Sequence, residues 1–146
     1  MRYLIIEGNI GAGKTTLSQM LADDLNANLI LEQFADNPYL PKFYESKEKY
    51  SFSLELSFLV NRYTQTKNYI PAPNLLHPLL IADYYFSKPS VFTQSTLKED
   101  DYELFKKIYD IISENMPKPD LYIYLHTSVE NLLNNIKKRG QVYEKN

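Results

Sequence analysis

The chain has 146 residues, of which 44% are hydrophobic and 23% charged, and its formal net charge is −2 at pH 7. This length predicts one domain with a single buried core, and the balanced charge argues against a nucleic-acid partner or an anionic membrane. The absence of cysteine excludes disulfides, thiolate metal sites and thiol nucleophiles. Because we recognise neither a signal peptide nor a membrane-spanning run, we expect a cytoplasmic protein.

Hydrophobic periodicity predicts strands that alternate with helices along the chain. In chain order, the predicted elements are a strand over residues 2–7, a helix over 14–26, a strand over 28–32, a helix over about 52–67, a strand over 79–82, a helix over 97–115, a strand over 121–125 and a helix over 128–139. This alternation predicts an α/β fold with a parallel sheet flanked by helices. The chain stops soon after its last helix, where a sheet of this type gains another strand. We therefore expect a C-terminal strand and helix to be missing from the sequence.

Local sequence signals predict where several of these elements begin and end. Pro38 and Pro41 break any helix early, so residues 33–50 are predicted to be irregular. Thr127 and Glu130 have the spacing of a capping box at the start of the last helix. Gly140 is the expected stop of the same helix.

A phosphate-binding loop is predicted between the first strand and the first helix. Residues 8–15 match the pattern G-x-x-x-x-G-K-[ST], and three of the four glycines in the chain lie in this loop. Backbone N–H groups and the helix N-terminus would hold phosphate, Lys14 would reach the β- and γ-phosphates, and Thr15 would offer a hydroxyl to Mg²⁺. The residues expected to contact ATP are Gly8, Asn9, Ile10, Gly11, Ala12, Gly13, Lys14, Thr15 and Thr16.

Three charged residues outside the loop have both a functional and a structural interpretation. Asp83 follows the third strand, where it would join the magnesium shell or cap a turn. Glu32 ends the second predicted strand, where it would accept a proton from an attacking hydroxyl or would simply be exposed. Arg139 would clamp the transferred phosphate from a mobile lid, or would complement the dipole at a helix C-terminus.

The chain resembles the deoxynucleoside kinases over nearly its whole length, and especially their bacterial deoxyadenosine/deoxyguanosine kinase branch. The segments that carry the resemblance are EGNIGAGKTT (residues 7–16), LEQFADNPYL (31–40), FYESKEKYSF (43–52), ELSFLVNR (55–62) and KRG (138–140). The first segment is shared by many kinases, whereas the others in this order are specific to the family. The resemblance implies a single P-loop kinase domain over residues 1–146, with a lid over about 137–146.

The resemblance also implies roles for individual residues. Glu32 matches the family's catalytic base, which takes the proton of the 5′-hydroxyl. Arg139 matches the first arginine of the lid. The other matching positions are Tyr44 at the sugar 3′-hydroxyl, Tyr50 and Leu54 around the nucleoside, Arg62 near the base, Asp83 as the acid after the third strand, and Glu144 among the lid carboxylates.

Three positions depart from the family pattern. Glu55 stands where many members have a glutamine that reads the base edge, and an ionised carboxylate only accepts hydrogen bonds. After the third strand, Asp83 supplies the acid of the family's acidic-Arg-Ser motif, but the arginine has no match, and Lys88 is a possible substitute. Gln141 replaces a second lid arginine.

We therefore predict an ATP- and Mg²⁺-dependent kinase that phosphorylates the 5′-hydroxyl of a purine deoxynucleoside, with deoxyadenosine preferred, and that forms a homodimer. One alternative is a nucleoside monophosphate kinase of the thymidylate-kinase type, which would need more arginines at the acceptor site than Arg62. The other is a catalytically weakened nucleotide-binding protein. A GTPase switch is excluded because the guanine-reading Asn-Lys-x-Asp motif is absent.

Overall fold

The computed structural model describes residues 2–33, 36–69, 79–87 and 93–140. In chain order, its elements are β1 (Arg2–Gly8), α1 (Lys14–Leu25), β2 (Asn28–Ile30), α2 (Tyr39–Glu45), α3 (Lys47–Tyr69), β3 (Leu79–Ala82), α4 (Glu99–Ser113), β4 (Leu121–Leu125) and α5 (Val129–Arg139). These residues divide into two compact units. The first comprises the described residues 2–31, 79–85 and 118–140, and the second comprises 32–33, 36–69, 86–87 and 93–117.

The first unit is built on a parallel sheet with the strand order β2-β3-β1-β4. Because β1 lies between two partners, its residues from Tyr3 onward are buried on both faces, as the apolar run predicts. Asp120 fixes the start of β4, since its carboxylate accepts from the backbone N–H of Tyr3 at 2.7 Å. The predicted α/β class and parallel sheet are confirmed.

Two apolar clusters cover the two faces of this sheet. Successive strand residues point to opposite faces, so Tyr3 and Ile5 join one cluster while Leu4 and Ile6 join the other. The second cluster includes Ala22 of α1, with Leu17 and Leu21 packed against it. Helix α1 begins directly after the glycine-rich turn. Its apolar side packs on the sheet and so holds the helix in place.

The second unit contains α2, α3 and α4. Its buried apolar residues are Leu40, Leu54, Leu59, Phe86 and Phe105. Phe86 stacks on Tyr109 of α4 with ring centroids 5.3 Å apart. This core positions α3, the helix that carries four of the residues predicted around the nucleoside, namely Tyr50, Leu54, Glu55 and Arg62.

The expectation that residues 33–50 are irregular is wrong, because α2 begins at Tyr39 and includes Pro41. Pro41 is the third residue of the helix, where the backbone N–H has no acceptor within the helix and its loss costs little. The turn before the helix is fixed by Asn37, whose side-chain oxygen accepts from the N–H of Tyr39 at 2.9 Å and whose amide donates to Ser57 at 2.7 Å.

Other predicted boundaries also shift. The strand predicted to reach Glu32 ends at Ile30, and the helix predicted from residue 52 begins at Lys47. The cap of α5 is Ser128 rather than Thr127, since the Ser128 hydroxyl accepts from the N–H of Asn131 at 3.3 Å. Gly140 ends this helix with a φ of 66°, as predicted. Within the described ranges, no helix has the length and apolarity that a membrane crossing would need.

Candidate functional site

The glycine-rich turn between β1 and α1 has the backbone conformation of a phosphate-binding loop. Gly13 has a φ of +92° and precedes the first residue of α1, a position that only glycine adopts without strain. At Gly11 a Cβ atom would lie 2.9 Å from the carbonyl oxygen of Leu132, so the close approach of α5 also requires glycine. No side chain caps α1 and its first turn holds no acidic residue. The helix N-terminus is therefore suited to an anion.

Two side chains donate hydrogen bonds to backbone carbonyl oxygens of this loop. The ammonium group of Lys14 donates to the carbonyl oxygens of Gly8 at 2.9 Å and Asn9 at 3.1 Å. From α5, the amide of Asn135 donates to the carbonyl oxygen of Gly11 at 2.8 Å. Asn135 was not predicted from the sequence, because a single asparagine 124 residues away from its partner gives no local signal. The exposed loop residues are Asn9, Ile10, Gly13, Thr15 and Thr16.

The two predicted magnesium residues are in contact. The Thr15 hydroxyl donates to the Asp83 carboxylate at 2.6 Å, and Asp83 directly follows β3 and is buried. A hydroxyl and a carboxylate are hard oxygen donors of the kind Mg²⁺ prefers. Among the described residues, no three His, Cys, Asp or Glu side chains gather into a metal set. The pair therefore fits a magnesium ion that takes its remaining ligands from nucleotide phosphates and water.

A buried carboxylate that sequence analysis did not single out lies next to the loop. Glu7 is only 5% exposed, and it accepts from the backbone N–H of Tyr85 at 2.9 Å and of Gly8 at 3.3 Å. Burial of Tyr122 and, to a smaller extent, the nearby negative charge of Glu7 raise the pKa of Tyr122 to about 12. The feature of the sequence that could have indicated this buried carboxylate is a glutamate near the end of an otherwise apolar strand.

In the second unit, the partly exposed Glu32 forms an ion pair with the buried Arg62. The Nε atom of Arg62 donates to Glu32 Oε1 at 3.0 Å, and its second guanidinium nitrogen contacts the same oxygen. The guanidinium carbon lies 5.5 Å from the centroid of the Phe58 ring. The resemblance places Arg62 near the base of a nucleoside, but here its guanidinium binds the carboxylate predicted to be the catalytic base.

Glu55 lies on the same helix as Arg62, seven residues earlier. The Thr96 hydroxyl donates to Glu55 at 3.4 Å, and this contact links α3 to the segment before α4. Burial raises the pKa of Glu55 from 4.5 to about 7, against the opposing effects of the Arg62 charge and the Thr96 hydrogen bond. Glu55 is therefore divided between its neutral and ionised forms near neutral pH, whereas the sequence analysis treated it as ionised.

The remaining predicted residues occupy varied environments. Leu54 is buried, whereas Tyr44 on α2 is exposed with its ring edge-to-face to Phe43. Tyr50 lies near the ammonium groups of Lys42 and Lys49. Arg139 is the exposed last residue of α5. The predicted residues that lie outside the described part of the chain are Lys88, Gln141 and Glu144.

Comparison with known proteins identifies relatives over almost the whole chain. The family model described as deoxynucleoside kinase matches residues 4–146. A deoxyguanosine kinase of Bacillus subtilis is 41% identical over 143 residues, covering 98% of this chain and 69% of the relative. A deoxyadenosine/deoxycytidine kinase of the same organism is 31% identical over 145 residues, covering 97% of this chain and 67% of the relative.

Solved structures give the same result for the fold. A deoxyadenosine kinase from M. mycoides, described with the products dCMP and a flexible dCDP bound, superposes with a TM-score of 0.83 at 25% identity. The match covers 97% of this chain and 73% of that structure. The same kinase was also solved with dATP bound.

Proposed function

The chain belongs to the deoxynucleoside kinase family, and from this premise we propose that it transfers the γ-phosphoryl group of ATP to the 5′-hydroxyl of a purine deoxynucleoside in nucleotide salvage. The observation that carries the proposal is the state of Glu32. It stands at the position of the family's catalytic base, and a buried guanidinium fixes its carboxylate. Deoxyadenosine is the proposed better substrate.

On the donor side, the loop over residues 8–16 binds the triphosphate through its backbone N–H groups and the N-terminus of α1. Lys14, already hydrogen-bonded to two loop carbonyl oxygens, holds the β- and γ-phosphates. Thr15 and Asp83 would hold Mg²⁺, which when bound neutralises charge on the phosphate oxygens. Arg139 adds positive charge from the proposed lid over about 137–146.

On the acceptor side, Glu32 takes the proton of the attacking 5′-hydroxyl. Arg62 holds the Glu32 carboxylate in one orientation, so we assign it to the catalytic base rather than to the nucleoside base. The arginine of the family's acidic-Arg-Ser motif has no match after β3 in this chain. We propose that Arg62 of α3 provides the arginine that contacts Glu32 instead. Tyr44 and Leu54 contact the nucleoside, and the lid carboxylate Glu144 contributes to its binding.

The choice of base depends on Glu55. An ionised Glu55 accepts from the amine at position 6 of adenine, and a neutral Glu55 can also donate. Facing the carbonyl of thymine, the ionised form would be a buried acceptor without a donor, at a cost of about 1–3 kcal/mol. Deoxyguanosine is a second candidate for two reasons. The relative with 41% identity is a deoxyguanosine kinase, and a neutral Glu55 can donate to the carbonyl at position 6 of guanine.

We further propose that residues 1–146 act as one kinase domain, that the protein is cytoplasmic, and that it forms a homodimer through the second unit. Large apolar side chains on α3 and α4 are exposed, including Val60, Leu104 and Ile111, and such side chains favour association. Light scattering at micromolar concentration should give twice the monomer mass. A monomer mass would reject the dimer without affecting the proposed reaction.

The experiment that tests the function is a phosphorylation screen. The chain is incubated with ATP labelled in its γ-phosphate, with Mg²⁺, and with each of the four deoxynucleosides or dTMP. The proposal predicts labelled monophosphates, with the highest specificity constant for deoxyadenosine. Conversion of dTMP alone would favour a thymidylate-kinase activity, and labelling of no acceptor would favour a nucleotide-binding protein without kinase activity.

A further inference from the structure

Glu7 is a buried acid at a position where the fold calls for an apolar side chain. It lies in the central strand β1, two residues after Ile5, so its side chain points to the same face as Tyr3 and Ile5. Placing a carboxylate in such an environment is costly unless hydrogen bonds compensate. The two backbone donors that approach Glu7, from Tyr85 and Gly8, supply such bonds.

These two hydrogen bonds connect the two segments that carry the magnesium pair. Gly8 is the first residue of the phosphate loop that leads to Thr15, and the bond to Tyr85 spans 78 residues of sequence. Tyr85 lies two residues after Asp83. A single side chain therefore holds both the start of the loop and the segment that presents the Asp83 carboxylate.

Besides the hydrogen bond from Thr15, further contacts hold the segment from Asp83 to Tyr85. The Asp83 N–H donates to the carbonyl oxygen of Ile30 at 3.2 Å, the Tyr84 side chain is fully buried, and the Tyr85 N–H donates to Glu7. Of these three, the Glu7 bond comes from the strand that enters the phosphate loop. It therefore relates the position of Asp83 to that of the phosphate loop in addition to the direct hydrogen bond between the Thr15 and Asp83 side chains.

From this arrangement we propose that Glu7 is a positioning residue for the Thr15–Asp83 pair and thereby sets the affinity of the chain for a magnesium-bound nucleoside triphosphate. This inference rests on the proposed function only in taking a magnesium–nucleotide complex as the ligand. Groups that orient metal ligands commonly change metal affinity about 10- to 100-fold when removed. The expected defect therefore lies in magnesium-dependent binding rather than in nucleotide binding as such.

Isothermal titration with a non-hydrolysable ATP analogue, with Mg²⁺ and separately with EDTA, measures the gain in affinity that magnesium provides. In Glu7→Gln this gain should fall about 10-fold while the affinity in EDTA changes by less than about 2-fold. Glu130→Gln, which removes an exposed carboxylate from the first turn of α5, is the matched control and should keep the wild-type gain. An unchanged gain in Glu7→Gln, or equal losses with and without Mg²⁺, would overturn the proposal.

Two further variants separate positioning from folding. Glu7→Asp keeps the charge but withdraws the carboxylate from the Tyr85 N–H, so it should lose the gain as Glu7→Gln does. Asp83→Asn should lose the gain, and adding Glu7→Gln should cause no further loss, because both act on one pair. Additive losses, or the loss of a cooperative unfolding transition in both Glu7 variants, would show that Glu7 serves the fold instead.

The binding test is independent of the phosphorylation screen. A chain that phosphorylates none of the deoxynucleosides but loses the magnesium gain in Glu7→Gln would refute the proposed reaction and support the role of Glu7. A chain that phosphorylates deoxyadenosine and keeps the gain in Glu7→Gln would do the reverse.

Discussion

The glycine-rich loop of the first unit and the proposed acceptor residues of the second unit obtain their geometry in different ways. In the loop, positive φ angles at glycines and the bare N-terminus of α1 create the site, so most of it is backbone. Around Glu32, the arrangement depends on a side-chain ion pair with Arg62, thirty residues away in sequence. Backbone geometry is encoded in a short motif, whereas side-chain pairing depends on the tertiary structure. Changes that keep the glycines should therefore leave the backbone shape of the loop intact, whereas a change at Glu32 or Arg62 should disturb the second arrangement.

The largest expected effect follows from removing the negative charge of Glu32. Glu32→Gln keeps an oxygen acceptor for Arg62 but loses basicity, so kcat should fall by about 10²–10⁴-fold with little change in the KM for the deoxynucleoside. Steady-state kinetics at saturating ATP measure both constants, and Glu45→Gln, an exposed position at the end of α2, is the control. A raised KM with unchanged kcat would show that Glu32 binds the deoxynucleoside but is not the catalytic base. The proposed difference between the two regions would then be contradicted.

Activity should depend strongly on Lys14, the positively charged side chain of the loop. Lys14→Ala removes the ammonium group expected at the β- and γ-phosphates, so kcat/KM should fall by about 10²–10³-fold. The unfolding midpoint should stay close to that of the wild type, because the glycines and α1 still shape the loop. Lys118→Ala, at an exposed position before β4, serves as the control. Turnover like that of the wild type in Lys14→Ala would exclude the assigned phosphate site.

A smaller effect is expected from the ionisation of Glu55, whose pKa is raised to about 7. Below this pH the neutral carboxyl can donate to the carbonyl of guanine, and above it the carboxylate only accepts, which favours the amine of adenine. The ratio of kcat/KM for deoxyadenosine to that for deoxyguanosine should therefore rise between pH 6 and pH 8, by about 3- to 10-fold, the equivalent of one hydrogen bond.

Glu55→Gln provides the comparison for this pH dependence, since an amide does not titrate in this range. Its ratio should stay constant from pH 6 to pH 8. If the wild type and Glu55→Gln change in parallel, another group governs the pH dependence and Glu55 does not read the base.

The smallest expected effect concerns the helix that supports the phosphate loop through Asn135. Ser128→Ala removes the hydroxyl that caps α5 and should lower the free energy of unfolding by about 1 kcal/mol. Thr127→Ala removes the neighbouring hydroxyl and should have less effect. Urea unfolding of both variants measures this difference in the free energy of unfolding. A larger decrease for Thr127→Ala would show that Thr127 caps the helix, as the capping box in the sequence predicted.

The sequence alone predicted the positions of the four strands and of most helices along the chain, because each carries its own hydrophobic period. It did not predict α2, since the rule against proline in helices does not apply within the first turn, where Pro41 lies. The loop and the contact between Thr15 and Asp83 were predictable because both residues follow parallel strands whose carboxyl ends meet at one edge of the sheet.

The side-chain environment of the acceptor residues was less predictable. The resemblance predicted roles for Glu32, Glu55 and Arg62, but the partners of these side chains depend on packing between distant segments. Arg62 binds Glu32, and Glu55 contacts Thr96 and is partly neutral near pH 7 because of its burial. The sequence contains no clear indication of a role for Glu7. A glutamate before a glycine-rich loop is typical of an exposed strand end, and only the structure shows that this side chain is buried.

The most direct test of the whole account compares deoxyadenosine with 2′,5′-dideoxyadenosine, which lacks the proposed acceptor hydroxyl. Each is incubated with the chain, Mg²⁺ and ATP labelled in its γ-phosphate, and the products are separated by chromatography. The account predicts a labelled 5′-monophosphate from deoxyadenosine and no labelled nucleotide from the 5′-deoxy compound. Equal labelling of both, or of neither under conditions where the chain binds ATP, would contradict it.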